Sequence, residues 1–218
     1  MSDIIKFRGV SKLYAENRAL DNISFNIEKG EMVFLAGHSG SGKSTLLKLI
    51  SGLERSSFGD VEINKVNLSV SSHATRIKIR QHIGIVFQDH KILFDRSVYD
   101  NVRLPLDIMG DSDADIDSKV EGALSSVGLF HKKDANPQEL SGGEQQRLCI
   151  ARAIIHQPAI ILADEPTANL DRDNAYNILE LFKKIHKTGV TILISAHDES
   201  ILADYGKRII RLNNGRFV

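Results

Sequence analysis

The chain has 218 residues, enough for one sizeable core and an inserted subdomain. Its 28 Lys and Arg balance its 28 Asp and Glu, so no global basic field argues for nucleic acid. A single cysteine, Cys149, excludes an internal disulfide framework and suits a reducing compartment.

The start, MSDIIKFRGV, lacks the charged-then-apolar pattern and cleavage site of a leader. IKFRGV and then NISFNI, with Ile23, Phe25 and Ile27 in phase, predict a more antiparallel sheet with one exposed face. MVFLA (32–36) lacks alternation and fits a parallel strand covered on both sides, as do AIILA (159–163) and VTILISA (190–196). None of these runs could span a bilayer, so the expectation is a soluble, cytoplasmic chain that meets a membrane only through a partner.

Directly after MVFLA comes GHSGSGKST: Gly37, His38, Ser39, Gly40, Ser41, Gly42, Lys43, Ser44 and Thr45, leading into a helix KSTLLKLIS that stops at Gly52. The string satisfies G-x-x-x-x-G-K-[ST]. Glycines let backbone N–H groups converge on phosphate oxygens, and the helix start adds partial positive charge. Lys43 then reaches the β and γ phosphates, and the Ser44 hydroxyl can ligate Mg²⁺. A Gly/Ser loop that merely turns strand into helix is the bland alternative. A dinucleotide fingerprint fails because no glycine follows Gly42 at its third position.

The strand IGIV precedes FQDHKILFDRSVYDNV (87–102), a mixture of charges and apolar residues that suits neither a plain surface loop nor a core element. GDSDADID (110–117) reads as a solvated loop and helix start, its acids favoured by the helix dipole. The following IDSKVEGALSSV sets Ile116, Val120, Leu124 and Val127 on one stripe. In LSGGEQQRLCIARA (140–153), Ser141, Gly142 and Gly143 at a helix start make a second anion-binding nest.

AIILADEP delivers Asp164 and Glu165 to the C-terminal end of a buried strand, where open α/β sheets bind ligands. Alone, such a pair could simply begin a helix. Beside a phosphate loop, Asp164 would hold Mg²⁺ through its water shell, and Glu165 would polarise a water for in-line attack. A helix NAYNILELFKKIHK then stops near Gly189, and Asn213, Asn214 and Gly215 predict a tight hairpin.

Over essentially its whole length the sequence resembles the ATP-binding cassette (ABC) ATPases, whose marks appear in order. They are Tyr14 in SKLYAENRAL, GHSGSGKST, Gln88 after IGIVF, LSGGEQQR, IILADEP, ANLD with Asp171, and His197 in ISAHD. The resemblance implies an α/β fold: a P-loop NTPase core of ABC type, a small antiparallel β subdomain, and a helical subdomain inserted at about 88–157 of one nucleotide-binding domain. It implies ATP and Mg²⁺ as cofactors, Tyr14 stacking on adenine, and Gln88 reaching the metal and the attacking water beside Glu165 and His197. It also implies two copies sandwiching two ATP head to tail, with Ser141 and Gly143 of one copy at the γ-phosphate held by Lys43 of the other.

Two departures stand out: Glu144 replaces a commoner Gln, and Ala168 a frequent Gly; neither is expected to touch the chemistry. The segment 88–102 is expected to line a groove for a short helix of an integral membrane partner, with Asp95 and Arg96 at its rim. FQDHKILFDRSVYDNVRLPL most resembles the cell-division branch of the family, whose ATPases sit on the cytoplasmic face of the membrane and signal through a membrane partner to peptidoglycan hydrolases. Lipoprotein-release and macrolide-type exporter ATPases are the alternatives, as is an ATP-gated scaffold with little turnover. The residues alone reach only an ATPase without its own membrane domain.

Overall fold

A computed structural model describes residues 2–111, 115–197, 202, 205 and 207–218. Strands β1 (Asp3–Tyr14) and β2 (Asn17–Glu28) pair antiparallel, and β4 (Phe58–Ile63) and β5 (Val66–Asn67) complete a four-stranded sheet in the order β2-β1-β4-β5. The alternation in β2 is the cause of its two faces: Ile23 and Ile27 are buried, while Ser24 and Asn26 are exposed.

The second sheet runs β10-β9-β3-β8-β7-β6 and is parallel except for β10. Its strands are β3 (Met32–Ala36), β6 (Ile83–Val86), β7 (Ile160–Ala163), β8 (Thr191–Ala196), β9 (Arg208–Asn213) and β10 (Arg216–Phe217). The unbroken apolar runs of β3, β7 and β8 are buried at every position, because this sheet has a core on each side. On one side Val33 and Leu35 join the antiparallel sheet and helix α1 (Lys43–Ile50). On the other, Met32 and Phe34 join α3 (Val98–Met109), α4 (Ile116–Ser126), α5 (Gly142–Ile154) and α6 (Arg172–His186).

A short α2 (His73–Arg80) precedes β6, and α3, α4, two 3₁₀ turns and α5 fall between β6 and β7. Val120, Leu124 and Val127 bury the expected stripe of α4, with Ile116 packed against the same core. Asn214 and Gly215 both take positive φ, 46° and 76°, which gives β9 and β10 their two-residue turn. Of the acidic stretch 110–117, residues 112–114 lie outside the described residues. Among the described residues no helix is long and apolar enough to cross a membrane.

Candidate active site

Gly42 ends the phosphate loop as the N-cap of α1 with φ 110°, and a Cβ there would stand 2.6 Å from the Ala19 carbonyl oxygen. Only glycine fits. No side chain caps α1 and no acid occupies its first turn, so its leading N–H groups face the cleft uncompeted. That cleft, about 480 Å³, is lined by Tyr14, Ser39, Gly40, Gly42, Lys43, Ser44 and Thr45, and by Gln88 and Glu165 across from them. His38 turns away: its ring bonds the Ser39 carbonyl at 2.7 Å and Asn213 Oδ1 at 3.0 Å. Ser41 is fully buried behind the loop, where its carbonyl accepts from the Gly215 N–H at 2.9 Å.

Three sequence-predicted residues meet at the carboxylate of a fourth, Glu165. Glu165 Oε1 lies 3.2 Å from Lys43 Nζ, and the ammonium also donates to the Gly37 and His38 carbonyls. Glu165 Oε2 accepts a long 3.4 Å bond from Gln88 Nε2 and stands 3.7 Å from His197 Nδ1. The Lys43 side chain is 4% exposed and that of Glu165 16%, so water screens this pair weakly. Glu165 itself has φ 46°, a left-handed backbone that a non-glycine residue holds only when its surroundings enforce it. Adjacent Asp164 accepts a 2.6 Å bond from the Ser195 hydroxyl.

The donor set suits a hard cation: the Ser44 hydroxyl, the Asp164 carboxylate and the Gln88 amide oxygen. Among the described residues no cluster of three or more His, Cys, Asp and Glu could hold a metal unaided. A cation here would draw its other ligands from phosphates and water, which is the habit of Mg²⁺.

Sequence reasoning missed Ser195, and also Asn17, Arg18 and Ala19 at the start of β2 and Asn214 in the β9–β10 turn, which complete the cleft wall. Ser195 left one sequence signal, a hydroxyl inside a strand otherwise apolar from Ile192 to Ala196. The others left none that separates lining from connection.

Ser141, Gly142 and Gly143 are not in the cleft lining. They open α5 beside the start of α6: a Cβ on Gly143 would come 3.3 Å from Asn174 Oδ1, and Asp171 caps α6 by accepting from the Asn174 N–H at 2.8 Å. Glu144 has a structural part at this helix start. Its carboxylate accepts from the Ser141 N–H at 2.9 Å and from the Ser141 hydroxyl at 3.0 Å, a capping box that holds it below the usual carboxylate range.

The segment after Gln88 also folds differently from expectation. His90 and Lys91 both take positive φ, and the buried Asn101 side chain ties the Leu93 N–H and carbonyl at 2.9 and 2.8 Å. Ile92 is thereby turned into the core, while Asp95 and Arg96 remain exposed. An apolar groove of about 420 Å³ does exist, but Phe87 and Lys91 are what this segment gives it. Its other walls include Ile77, Arg80, Leu104, Pro105, Ile108, Met109 and Arg152. The charges lining this groove are Arg80, Lys91 and Arg152; Asp95 and Arg96 lie outside its lining.

Comparison with known proteins agrees with this geometry. The family model described as ABC transporter matches residues 20–168. The chain is 46% identical over 213 residues to the cell division ATP-binding protein FtsE of Escherichia coli K12, covering 97% of this chain and 96% of that protein. Against FtsE of Mycobacterium tuberculosis it is 43% identical, covering 96% and 92%. A solved dimeric structure of the ATP-binding cassette MJ0796 in a post-hydrolysis state, bound to ADP and Pi, superposes with a TM-score of 0.89 at 36% identity, covering 98% of this chain and 97% of that one. With a P-loop, an acidic strand end and a signature helix on the matching fold, the chain belongs to the ABC transporter family as an ATPase cassette closely related to FtsE.

Proposed function

We propose that this ATPase works as a pair of copies that close around two ATP and drive an integral membrane partner resembling FtsX in cell division. The observation that carries the chemistry is the convergence of Lys43, Gln88 and His197 on Glu165. Tyr14 at the cleft edge stacks on adenine, and the residues from Gly37 to Thr45 cradle the phosphates. Mg²⁺, held by Ser44, Gln88 and the water shell of Asp164, would neutralise charge on the β and γ phosphates.

Lys43 exchanges Glu165 for phosphate oxygens, which leaves that carboxylate open to a water. The water oxygen bonds to the γ-phosphorus, the bond to the β–γ bridging oxygen breaks, and Glu165 takes the proton. Gln88 and His197, both within reach of Glu165 Oε2, hold that water in line. Ser141 and Gly142 are exposed at the start of α5, with Gly143 buried behind them, and all three lie outside the cleft of their own copy, so this helix start can serve the nucleotide of a second copy, with Asp171 bracing α6 beside it. MJ0796, described as a dimer with ADP and Pi, supports that arrangement.

The partner reading rests on the FtsE relatives and on the apolar groove between α2, β6 and α3. Residues about 88–157 form the helical subdomain that carries one wall of the groove, within a single domain spanning the chain. Bound this way, the protein sits peripherally on the cytoplasmic membrane face, and its cycle signals to peptidoglycan hydrolases beyond it.

Co-purification of the membrane-bound protein with its neighbours, with and without ATP, tests the reading. An FtsX-like partner should be recovered. Recovery of an exporter permease instead would overturn the division role, and a monomer in the presence of ATP would overturn the paired site.

A further inference from the structure

Ser195 makes two bonds that nothing above assigns a purpose. Its side chain is fully buried near the end of β8. Ala163 and Ile194 are register partners in β7 and β8, so the next residues, Asp164 just past the end of β7 and Ser195 still within β8, stand side by side. The hydroxyl donates to Asp164 Oδ1 at 2.6 Å and accepts from the Glu165 N–H at 2.9 Å. Its donor and one acceptor position are thus both used, on the two acidic residues of the site.

The second bond falls where the backbone is least comfortable. Glu165 holds φ 46°, and its carbonyl accepts from the Ala168 N–H at 3.0 Å, so the turn is fastened on both sides. Without the hydroxyl, a part-buried N–H loses its partner, and the Asp164 carboxylate loses the bond that sets its rotation.

We propose that Ser195 is a positioning residue of the hydrolytic centre, orienting Asp164 toward the metal and holding the left-handed turn that delivers Glu165 to the water. The proposal rests on the reading of the cleft as an Mg²⁺-ATP site. Outer partners of metal-binding groups act in this way: they restrict the ligand to one orientation before the metal arrives.

The test separates metal from nucleotide. ATP affinity is measured in excess chelator by fluorescent-nucleotide titration. Mn²⁺ affinity is measured by electron paramagnetic resonance with a non-hydrolysable ATP analogue, and the Mg²⁺ half-saturation of phosphate release is followed alongside. Ser195→Ala should bind metal-free ATP as wild type does, while Mn²⁺ affinity and Mg²⁺ half-saturation weaken about 10–100-fold. Ser195→Thr, which keeps the hydroxyl, should restore both. An Ala variant with unaltered metal dependence would overturn the proposal, as would an equal loss of metal-free and metal-dependent binding, which marks ordinary packing. Should Ala fail to fold, Ser195→Cys keeps the volume with a weak donor and acceptor, and a wild-type metal dependence there overturns the idea equally. Failure of wild-type protein itself to bind ATP, or of Lys43→Ala to abolish binding, would instead remove the underlying site reading.

Discussion

Lys43 and Glu165 face each other at 3.2 Å, so the residue proposed to hold phosphate is paired here with the proposed base. Glu165→Gln removes a competing negative charge as well as the base. It should bind ATP more tightly than wild type by fluorescent-nucleotide titration, while phosphate release slows by roughly 10²–10⁴-fold. Unchanged turnover would move the base to His197. Tyr14, 38% exposed with Lys12 Nζ 4.7 Å from its ring centroid, offers its other face to a base. Tyr14→Ala should weaken ATP binding by roughly 1–3 kcal/mol, the worth of an aromatic–base stack, and Tyr14→Phe should be nearly silent. If Phe is as damaging as Ala, the hydroxyl is the active part. These residues were legible because phosphate chemistry demands particular side chains at short, ordered spacings. Ser195 was not: its bonds depend on the register between β7 and β8, which no local pattern in VTILISA encodes.

At the scale of elements, runs with one dominant periodicity were read correctly, and the connection after β6 was not. Its path is set by side-chain-to-backbone bonds from distant residues. Asn101 gives four: it accepts from Leu93 N–H, and it donates to the Leu93, Ser97 and Arg96 carbonyls at 2.8, 2.9 and 3.5 Å. Asn101→Ala leaves buried backbone groups without partners, so urea unfolding should show a loss of about 1–3 kcal/mol. A loss near zero would mean that water replaces the amide freely.

Cys149 on α5 adds a bond from its thiol to the His90 carbonyl at 3.3 Å, and burial pushes its pKa up to about 11. The folded chain therefore keeps the proton that the unfolded chain gives up near its ordinary value of about 9. The resulting stability is complete below pH 9 or so and drains away as pH rises toward 11. Iodoacetamide at neutral pH should accordingly label Cys149 only after denaturation. Rapid labelling of folded protein would show that the loop over it opens.

The whole molecule joins an antiparallel sheet, a parallel sheet and a helical layer, and this architecture followed from the sequence because apolar runs and stripes report how many sides an element buries. The apolar groove did not follow, since it is assembled from α2, β6, α3 and α5, none of which points to it alone. Ile108 is 70% exposed there, an apolar side chain whose surroundings are Arg80, Lys91 and Arg152. Ile108→Asp should leave ATP affinity and thermal stability as in wild type and reduce recovery of the membrane partner in a pull-down. Intact recovery would place docking on another surface.

One helix joins the two proposed sites. α5 starts with Ser141 in its capping box and runs 13 residues, roughly 20 Å, to a far end where a Cβ on Gly84 of β6 would stand only 2.2 Å from the Ala153 carbonyl oxygen. Near that end Arg152 donates to the Lys91 carbonyl at 2.7 Å, at the lip of the groove. A rod so short and so tightly seated transmits displacement with little bending. Under the proposed function, force delivered by a membrane protein at Lys91 would arrive at Ser141 as a change of tilt, and closure around nucleotide at Ser141 would return to the membrane side as a stroke. Such a linkage has no slack, so neither end can complete its movement while the other is blocked.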